Sequence, residues 1–273
     1  MFLNQPPLEL LDADKIKMAI EHENQCCLAS FNIFDSINST NDYLLEYAKT
    51  GGSSGSVCFA EQQTKGRGRR GRVWYSPPGA NIYLSLLWHF PASQPDLPAL
   101  SMAVAVMLVH ALEKYGINAG LELKWPNDVL FAGRKLAGIL LERLPESNGM
   151  IAVVIGIGLN LQLPTEELPS DREKWIDVAE MTGQPVKRNY LAGLIVNELL
   201  AKLSVYQAEG LKGFQASWAR YDAMQGKSIV VHTALASVLG VMQGINRNGQ
   251  LLLLTPAGEI QQFQCGEVSV RVE

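Results

Sequence analysis

Apolar and polar positions follow two different patterns along the chain. From residue 31 to about residue 222, strand-like apolar runs are separated by segments in which apolar residues recur every three or four positions. This alternation is typical of a mixed α and β domain. Strands are predicted at 31–34, 57–60, 82–90, 122–124, 135–143 and 150–161, and helices at 40–49, 99–115, 190–209 and 211–221.

After Gly226 the pattern changes to short β-like segments separated by tight turns. Asn248-Gly249 and Ala257-Gly258 are residue pairs of the kind that favours hairpin turns. Five strands in this region predict a small barrel. They are placed at 229–231, 237–245, 250–255, 260–264 and 268–272.

The first 30 residues are too few for a domain and contain one predicted helix, which begins at residue 12 or 14 and ends near residue 23. We therefore divide the chain into an N-terminal connector, a main domain and a small C-terminal domain. The predicted boundaries are 1–30, 31–223 and 224–273.

The composition is that of an ordinary globular protein: of 273 residues, 47% are hydrophobic and 18% charged, and the net charge is -4. These values argue against a disordered, collagen-like or disulfide-stapled protein. The longest apolar runs, at 102–109 and 151–159, are far shorter than the ~20 residues of a membrane span. Residues 1–12 lack the pattern of a secretory signal. We therefore expect a cytoplasmic protein without a membrane span.

Cysteine and histidine spacing bears on redox compartment and metal binding. The four cysteines form no CxxC pair, which fits a reducing compartment. The four histidines are scattered and form no HExxH motif, so we expect no metal ion held by protein ligands. The net negative charge also disfavours a general nucleic-acid binder.

The segment most indicative of chemistry is a basic loop at residues 65–72, with five cations and three glycines in eight positions. Glycine lets backbone N–H groups approach an anion, and arginine supplies bidentate donors for phosphate or carboxylate. No Gly-Lys-[Ser/Thr] follows, which excludes a Walker A loop. A solvated or RNA-contacting basic loop is an equally open reading of the composition alone. Predicted β segments on both sides favour a binding site.

Four further segments carry polar residues at the ends of predicted elements. Each has a structural reading as well: a helix cap at 36–42, an exposed turn at 124–128, a solvent-reaching lysine at 135 and close backbone packing at 155–160. Taken singly, none of them indicates a function.

Together, the order and spacing of these segments resemble the biotin protein ligase family of the bacterial repressor-type lineage. The resemblance covers residue 31 to the C-terminus. It is carried by Ser39-Thr40-Asn41, Gln63, Gly-Arg-Gly-Arg-Arg-Gly-Arg at 66–72, Trp74, Lys-Trp-Pro-Asn-Asp at 124–128, Lys-Leu-Ala-Gly-Ile-Leu at 135–140, Gly-Ile-Gly-Leu-Asn at 156–160 and Gly-Glu-Val-Ser-Val-Arg at 266–271. It implies an α+β fold: a catalytic domain with a mixed β-sheet, like that of class II aminoacyl-tRNA synthetases, followed by an SH3-like β-barrel.

The activity implied by the resemblance has two steps. Biotin and ATP, with Mg²⁺ brought by the nucleotide, give biotinyl-5′-AMP. A lysine of a biotin carboxyl carrier protein, from acetyl-CoA carboxylase or a related carboxylase, then takes the biotin. The family often pairs subunits along the sheet, so a homodimer is an open option. Repressor-type members also carry an N-terminal winged helix-turn-helix, which 30 residues cannot hold. We therefore expect no sequence-specific DNA binding and interpret 1–30 as the remnant of a connector.

Site residues are assigned by the same resemblance. Biotin is expected to contact Ser39, Thr40, Asn41, Gln63, Arg67, Gly68, Arg69 and Lys135. The nucleotide is expected to contact Arg69, Arg70, Arg72, Trp74, Lys135, Asn160 and Arg271. The catalytic groups are expected to be Lys135, Arg67, Arg69 and Asp128.

Two other functions remain as alternatives. A lipoate or octanoyl protein ligase would use a comparable pocket on a similar scaffold. A non-catalytic biotin sensor or nucleic-acid binder belongs to a different class, and the net charge and the short N-terminal segment count against it.

Overall fold

The computed structural model describes residues 9–94, 97–164, 172–233, 236–265 and 269–272. Its strands are β1 (Ser30–Ile37), β2 (Ser56–Gln63), β3 (Asn81–Pro91), β4 (Leu121–Lys124), β5 (Asp128–Phe131), β6 (Arg134–Arg143), β7 (Met150–Asn160), β8 (Ser228–His232), β9 (Ser237–Ile245), β10 (Leu251–Leu254), β11 (Ile260–Phe263) and β12 (Ser269–Val272). The helices are α1 (Ala13–Met18), α2 (His22–Gln25), α3 (Thr40–Lys49), α4 (Leu100–Tyr115), α5 (Val178–Thr182), α6 (Arg188–Glu209) and α7 (Gln215–Tyr221).

The central sheet has seven strands in the order β1-β2-β3-β7-β6-β5-β4. The β1–β2 pair is parallel and the other pairs are antiparallel, so the sheet is mixed as predicted. This sheet and its helices form a mixed α and β fold. The connection from β1 to β2 passes through α3, which places the start of that helix beside the ends of both strands.

The two faces of the sheet are covered differently. On one face α4 and α6 pack over apolar residues such as Leu84, Leu86 and Ile155, and twelve of the sixteen α4 residues are buried. The segment Leu97–Tyr115 is long and apolar enough by composition to cross a membrane, but most of it is buried inside the fold. This burial is that of a core helix. On the opposite face α3 covers a smaller cluster that includes Leu44 and Cys58.

The C-terminal strands form a separate five-stranded antiparallel sheet in the order β11-β10-β9-β8-β12. This arrangement is consistent with the predicted SH3-like domain. Its buried residues Ile229, Met242 and Leu251 belong to the same continuous apolar core as α4. The exact domain boundaries proposed from the sequence stay a prediction.

The predicted N-terminal helix is wrong in its extent. One helix was expected to about residue 23, but α1 ends at Met18 and α2 is a separate short helix. A Cβ built on Gly193 of α6 would lie 2.3 Å from the Ile16 carbonyl oxygen, so the last turn of α1 packs directly against the α6 backbone. Tertiary packing of this kind overrides local helix preference.

Three other elements differ from the predictions. Strand β5 and helix α5 were not predicted, and both are only four or five residues long. The predicted helix at 211–221 is a 3₁₀ turn, Gly210–Phe214, followed by α7.

Candidate active site

Small residues line part of the sheet face that α3 leaves uncovered. In the strand register Ser85 lies opposite Gly156, and Gly138 opposite Gly158. A Cβ on Gly156 would lie 2.4 Å from Asn41 Oδ1, and a Cβ on Gly158 would lie 2.4 Å from Trp74 Cε2. The missing side chains therefore let two functional candidates lie directly on the sheet. We call this surface, formed by Ser85, Gly138, Gly156 and Gly158, the glycine face.

A set of hydrogen-bonded polar side chains lies at one end of the glycine face. We call this set, Thr40, Asn41, Gln63 and Ser85, the polar group. Gln63 Oε1 accepts hydrogen bonds from the backbone N–H of Thr40 (3.0 Å) and from the Thr40 hydroxyl (3.1 Å). The Ser85 hydroxyl lies 2.7 Å from Thr40 Oγ1 and 2.5 Å from Asn41 Oδ1. These side chains therefore hold hydrogen-bond donors and acceptors in fixed positions within one buried patch. Ser39 caps α3 by accepting from the Asp42 N–H at 3.4 Å, which is the structural role its spacing allows.

Arg67 is held by two carboxylates beside this polar group. Its guanidinium lies 2.5 Å from Asp42 Oδ1 and 2.8 Å from both oxygens of Glu142. Glu142 also accepts from Asn41 Nδ2 at 2.8 Å, which joins the arginine to the α3 residues. Sequence reasoning did not single out Glu142. The signal was its even spacing from Gly138 along β6, which places both on the glycine face.

Arg69 lies over the turn that follows β4. It donates to Asn127 Oδ1 at 2.7 Å, and Asn127 in turn donates to the Ile139 carbonyl at 2.7 Å. Burial lowers the pKa of the Arg69 guanidinium, and the neighbouring Asp128 charge opposes that shift. Asn127 was predicted only as part of a turn, and the structure makes it the partner of the basic loop.

The basic loop has a defined backbone path. Gly68 N–H donates to the Arg72 carbonyl (2.7 Å), and Trp74 N–H donates to the Gly66 carbonyl (2.9 Å). Arg70 lies at the tip with a φ of 59°, in the left-handed region. The loop is therefore a closed turn that holds Arg67 and Arg69 beside the glycine face, while Arg70 and Arg72 are exposed.

Lys135 and Trp74 occupy the other end of the glycine face. Lys135 Nζ lies 2.7 Å from Asp128 Oδ1 and 5.3 Å from the centre of the Trp74 ring. The buried Trp74 Nε1 has no hydrogen-bond partner in the part of the chain that the structure describes. A buried N–H without an acceptor costs free energy, so this indole is suited to a partner that brings one.

Two further predicted residues, Asn160 and Arg271, lie at the end of β7 and within β12. The Asn160 side-chain amide donates to the carbonyls of Ile176 (3.1 Å) and Lys135 (3.3 Å), which fixes the start of β6. The Arg271 backbone pairs with Val230 in the C-terminal sheet, while its side chain lies outside the described residues.

The carboxylates of the site do not form a metal cluster. Within the described ranges, no group of three or more His, Cys, Asp or Glu side chains could hold a metal ion. Asp42 and Glu142 are paired with Arg67, and Asp128 with Lys135. This donor set fits a divalent ion carried mainly by phosphate oxygens.

A substitution on the glycine face should displace Trp74. We expect Gly158→Ala to lower the free energy of unfolding by about 1–3 kcal/mol, because the new methyl group would overlap the indole. It should also change tryptophan emission, and that change should be lost in a Trp74→Phe background. The matched control is Gly213→Ala, where the backbone φ is not positive and the nearest atom to a new Cβ is the end of the flexible Glu209 side chain. Unchanged emission in Gly158→Ala would contradict the observed packing.

Comparison with known proteins places this arrangement in a family. Residues 33–160 match the model of the biotin/lipoate A/B protein ligase family. The bifunctional ligase/repressor BirA of Salmonella typhimurium is 35% identical over 266 residues, which cover 97% of this chain and 80% of that protein. The chain belongs to the biotin protein ligase family. The biotin--[acetyl-CoA-carboxylase] ligase of Paracoccus denitrificans is 34% identical, over 81% of this chain and 92% of that protein.

A solved structure agrees with the fold of this family member. The biotin protein ligase from Aquifex aeolicus, in complex with biotin and ATP, superposes with a TM-score of 0.75 at 27% identity. The match covers 88% of this chain and 98% of that chain. The relatives are biotin ligases, so a lipoate ligase or a non-catalytic sensor is not favoured.

Proposed function

We propose that the glycine face and its surrounding cations join biotin to ATP and then release the biotinyl group to a protein lysine. The observation that carries this proposal is the placement of Lys135 and Trp74 at one end of the glycine face, with Arg69 beside them on Asn127 and the polar group at Thr40 at the other end. An ATP-dependent biotin protein ligase needs both ends: one for the biotin ring system and one for the anionic reaction centre.

The polar end is suited to the ureido head of biotin. That head carries paired donors and an acceptor, which require fixed polar partners in an otherwise apolar pocket. Thr40, Asn41 and Gln63 supply such groups, and Ser39 fixes the helix start that holds them. Arg67 and Gly68 close this end from the basic loop. The ion pairs of Arg67 with Asp42 and Glu142 keep the guanidinium in place.

The cationic end is suited to the first reaction step. A biotin carboxylate oxygen attacks the α-phosphorus of ATP, and the bond from that phosphorus to pyrophosphate breaks. Two like charges 4 Å apart repel by about 4 kcal/mol at an effective dielectric constant of 20, so fixed cations are required there. Lys135 would exchange its contact with Asp128 for the carboxylate and the α-phosphate oxygens. Arg69, Arg70 and Arg72 would add charge from the loop.

The nucleotide base is assigned to the indole and the strand end beside it. Trp74 would pack on adenine, and Asn160 would contact the base from the end of β7. Arg271 would reach the nucleotide from β12. Mg²⁺ bound by the phosphates would supply further charge neutralisation. Asp128, released from Lys135, would then orient the incoming lysine amine, which attacks the acyl carbon and displaces AMP.

The acceptor is proposed from the relatives' names. A biotin carboxyl carrier protein of acetyl-CoA carboxylase or a related carboxylase would present the target lysine. We place the reaction in the cytoplasm, and a homodimer paired along the sheet is part of the same proposal.

One labelling experiment tests the proposed function. The protein is incubated with ATP, Mg²⁺, radiolabelled biotin and a biotin carboxyl carrier domain, and parallel reactions contain lipoate in place of biotin or omit ATP. We expect ATP-dependent labelling by biotin alone, abolished when the carrier lysine is replaced by arginine. Transfer of lipoate in preference to biotin, or biotin binding without pyrophosphate release, would contradict the proposal.

A further inference from the structure

A turn of the C-terminal sheet contacts the catalytic sheet at one buried hydrogen bond. The Trp125 indole N–H donates to the Gly249 carbonyl at 3.0 Å, and only 2% of Trp125 is exposed. A Cβ on Gly249 would lie 2.7 Å from Ala99 Cβ and 3.0 Å from Met102 Sδ. The β9–β10 turn therefore packs tightly against the start of α4.

This turn is stiffened by its own hydrogen bonds. Asn246 Oδ1 accepts from the N–H groups of Asn248 (2.9 Å) and Gln250 (3.0 Å). The backbone N–H of Asn246 donates to the Gln250 carbonyl, and Gly249 N–H donates to the Asn246 carbonyl. Gly249 itself has a φ of +74°, which glycine adopts without strain. The direction of the Gly249 carbonyl is therefore fixed.

The other side of Trp125 leads directly to the basic loop. Ser101 Oγ donates to the Pro126 carbonyl at 3.1 Å. Asn127 follows Pro126 in the chain, and its side-chain oxygen accepts a hydrogen bond from the Arg69 guanidinium at 2.7 Å. The Cys265 thiol lies beside the same turn, where it donates to the Gly249 carbonyl at 3.7 Å. The turn, Trp125, Asn127 and Arg69 thus form one continuous set of contacts.

We infer that the β9–β10 turn of the C-terminal sheet positions Arg69 for its part in the reaction, acting through Trp125 and Asn127. Trp125 is then a positioning residue that need not touch substrate. The inference rests on the proposed function, because it takes Arg69 at the cationic end to help hold the biotinyl-AMP formed there. Its effect is measured as the rate at which that adenylate dissociates. The C-terminal sheet would then help to position Arg69, in addition to any contact that one of its own side chains makes with the nucleotide.

Trp125→Phe tests the inference because it keeps an aromatic ring and removes the N–H donor. We expect biotinyl-AMP to dissociate about fivefold faster, the loss expected for one neutral hydrogen bond, with the Kd for biotin within about twofold of the wild type. In an Arg69→Gly background, Trp125→Phe should add less than about twofold if it acts through Arg69. An equal effect in both backgrounds, or none in a folded variant, would overturn the inference.

A second variant approaches the contact from the other side. Asn246→Ala removes the acceptor that orders the turn and should raise adenylate dissociation in the same Arg69-dependent way, so it decides the matter if Trp125→Phe does not fold. The control is Glu259→Ala at the neighbouring β10–β11 turn, where the side chain is exposed; it should leave dissociation unchanged. Wild-type protein that forms no biotinyl-AMP would refute the proposed function. Normal synthesis by the wild type, with unaltered adenylate dissociation in Trp125→Phe and Asn246→Ala, would refute this inference alone.

Discussion

Replacing Lys135 with alanine is expected to slow biotinyl-AMP formation by about 100-fold to 1000-fold, the effect of removing one fixed charge-stabilising donor from a reaction centre. Lys135 Nζ lies at the end of the glycine face and is held there by Asp128. It is therefore placed where the carboxylate and the α-phosphate would meet. Pyrophosphate release in single-turnover reactions measures the effect.

Folding should be little affected by the same change. The Lys135 side chain is 30% exposed and its ion pair with Asp128 is partly solvated, so we expect a change of less than about 1 kcal/mol in the free energy of unfolding. Lys49→Ala is the matched control, because Lys49 is also ion-paired, with Glu46, but at the far end of α3. Its activity should equal that of the wild type. A Lys135→Ala variant that releases pyrophosphate at the wild-type rate, or that unfolds, would remove Lys135 from the mechanism.

Arg69→Gly is expected to impair retention of the adenylate more than its synthesis. A charge-assisted hydrogen bond contributes about 1.5–3 kcal/mol, so adenylate dissociation should rise about tenfold to hundredfold. Synthesis should fall less, because Arg67 and Lys135 remain on the same face. A loop that closes over a reactive mixed anhydride also excludes water and stray nucleophiles.

Escaped adenylate would acylate lysines on unrelated proteins. The variant, ATP and biotin are mixed with serum albumin, and biotin on the albumin is measured beside wild-type and Arg143→Gly reactions. Arg143 is an exposed arginine at the end of β6 and serves as the control. Equal albumin labelling and equal dissociation rates for Arg69→Gly and the wild type would show that Arg69 does not retain the adenylate.

Local patterns predicted those elements whose ends are marked by capping or turn residues. Helix α3 was predicted at its observed bounds, since Ser39 caps it and its apolar residues recur at helical spacing. Strand β9 also has its predicted bounds, set by alternating burial and the Asn248-Gly249 turn. By contrast, the break between α1 and α2 lies against α6, where Gly193 admits Ile16 and Asn197 accepts the Glu21 N–H. These contacts join residues about 175 positions apart, and no local pattern encodes them.

The site shows the same division between local and long-range information. Residue types and order pointed to Lys135, Trp74 and the basic loop, and the structure brings them together on one face. The ion pair of Arg67 with Glu142 joins residues 75 positions apart. Such a pairing depends on strand register, which the sequence alone does not specify.

The burial of α4 has a consequence for synthesis of the chain on the ribosome. Its cover includes α6, which begins roughly 70 residues after α4 ends, so translation at about 5–20 residues per second leaves α4 without that partner for several seconds. During that interval the apolar surface of α4, which is buried in the folded protein, is open to chaperones and to other nascent chains. Slowing translation between α4 and α6 would therefore lower the yield of folded protein, whereas slowing it after α6 would not.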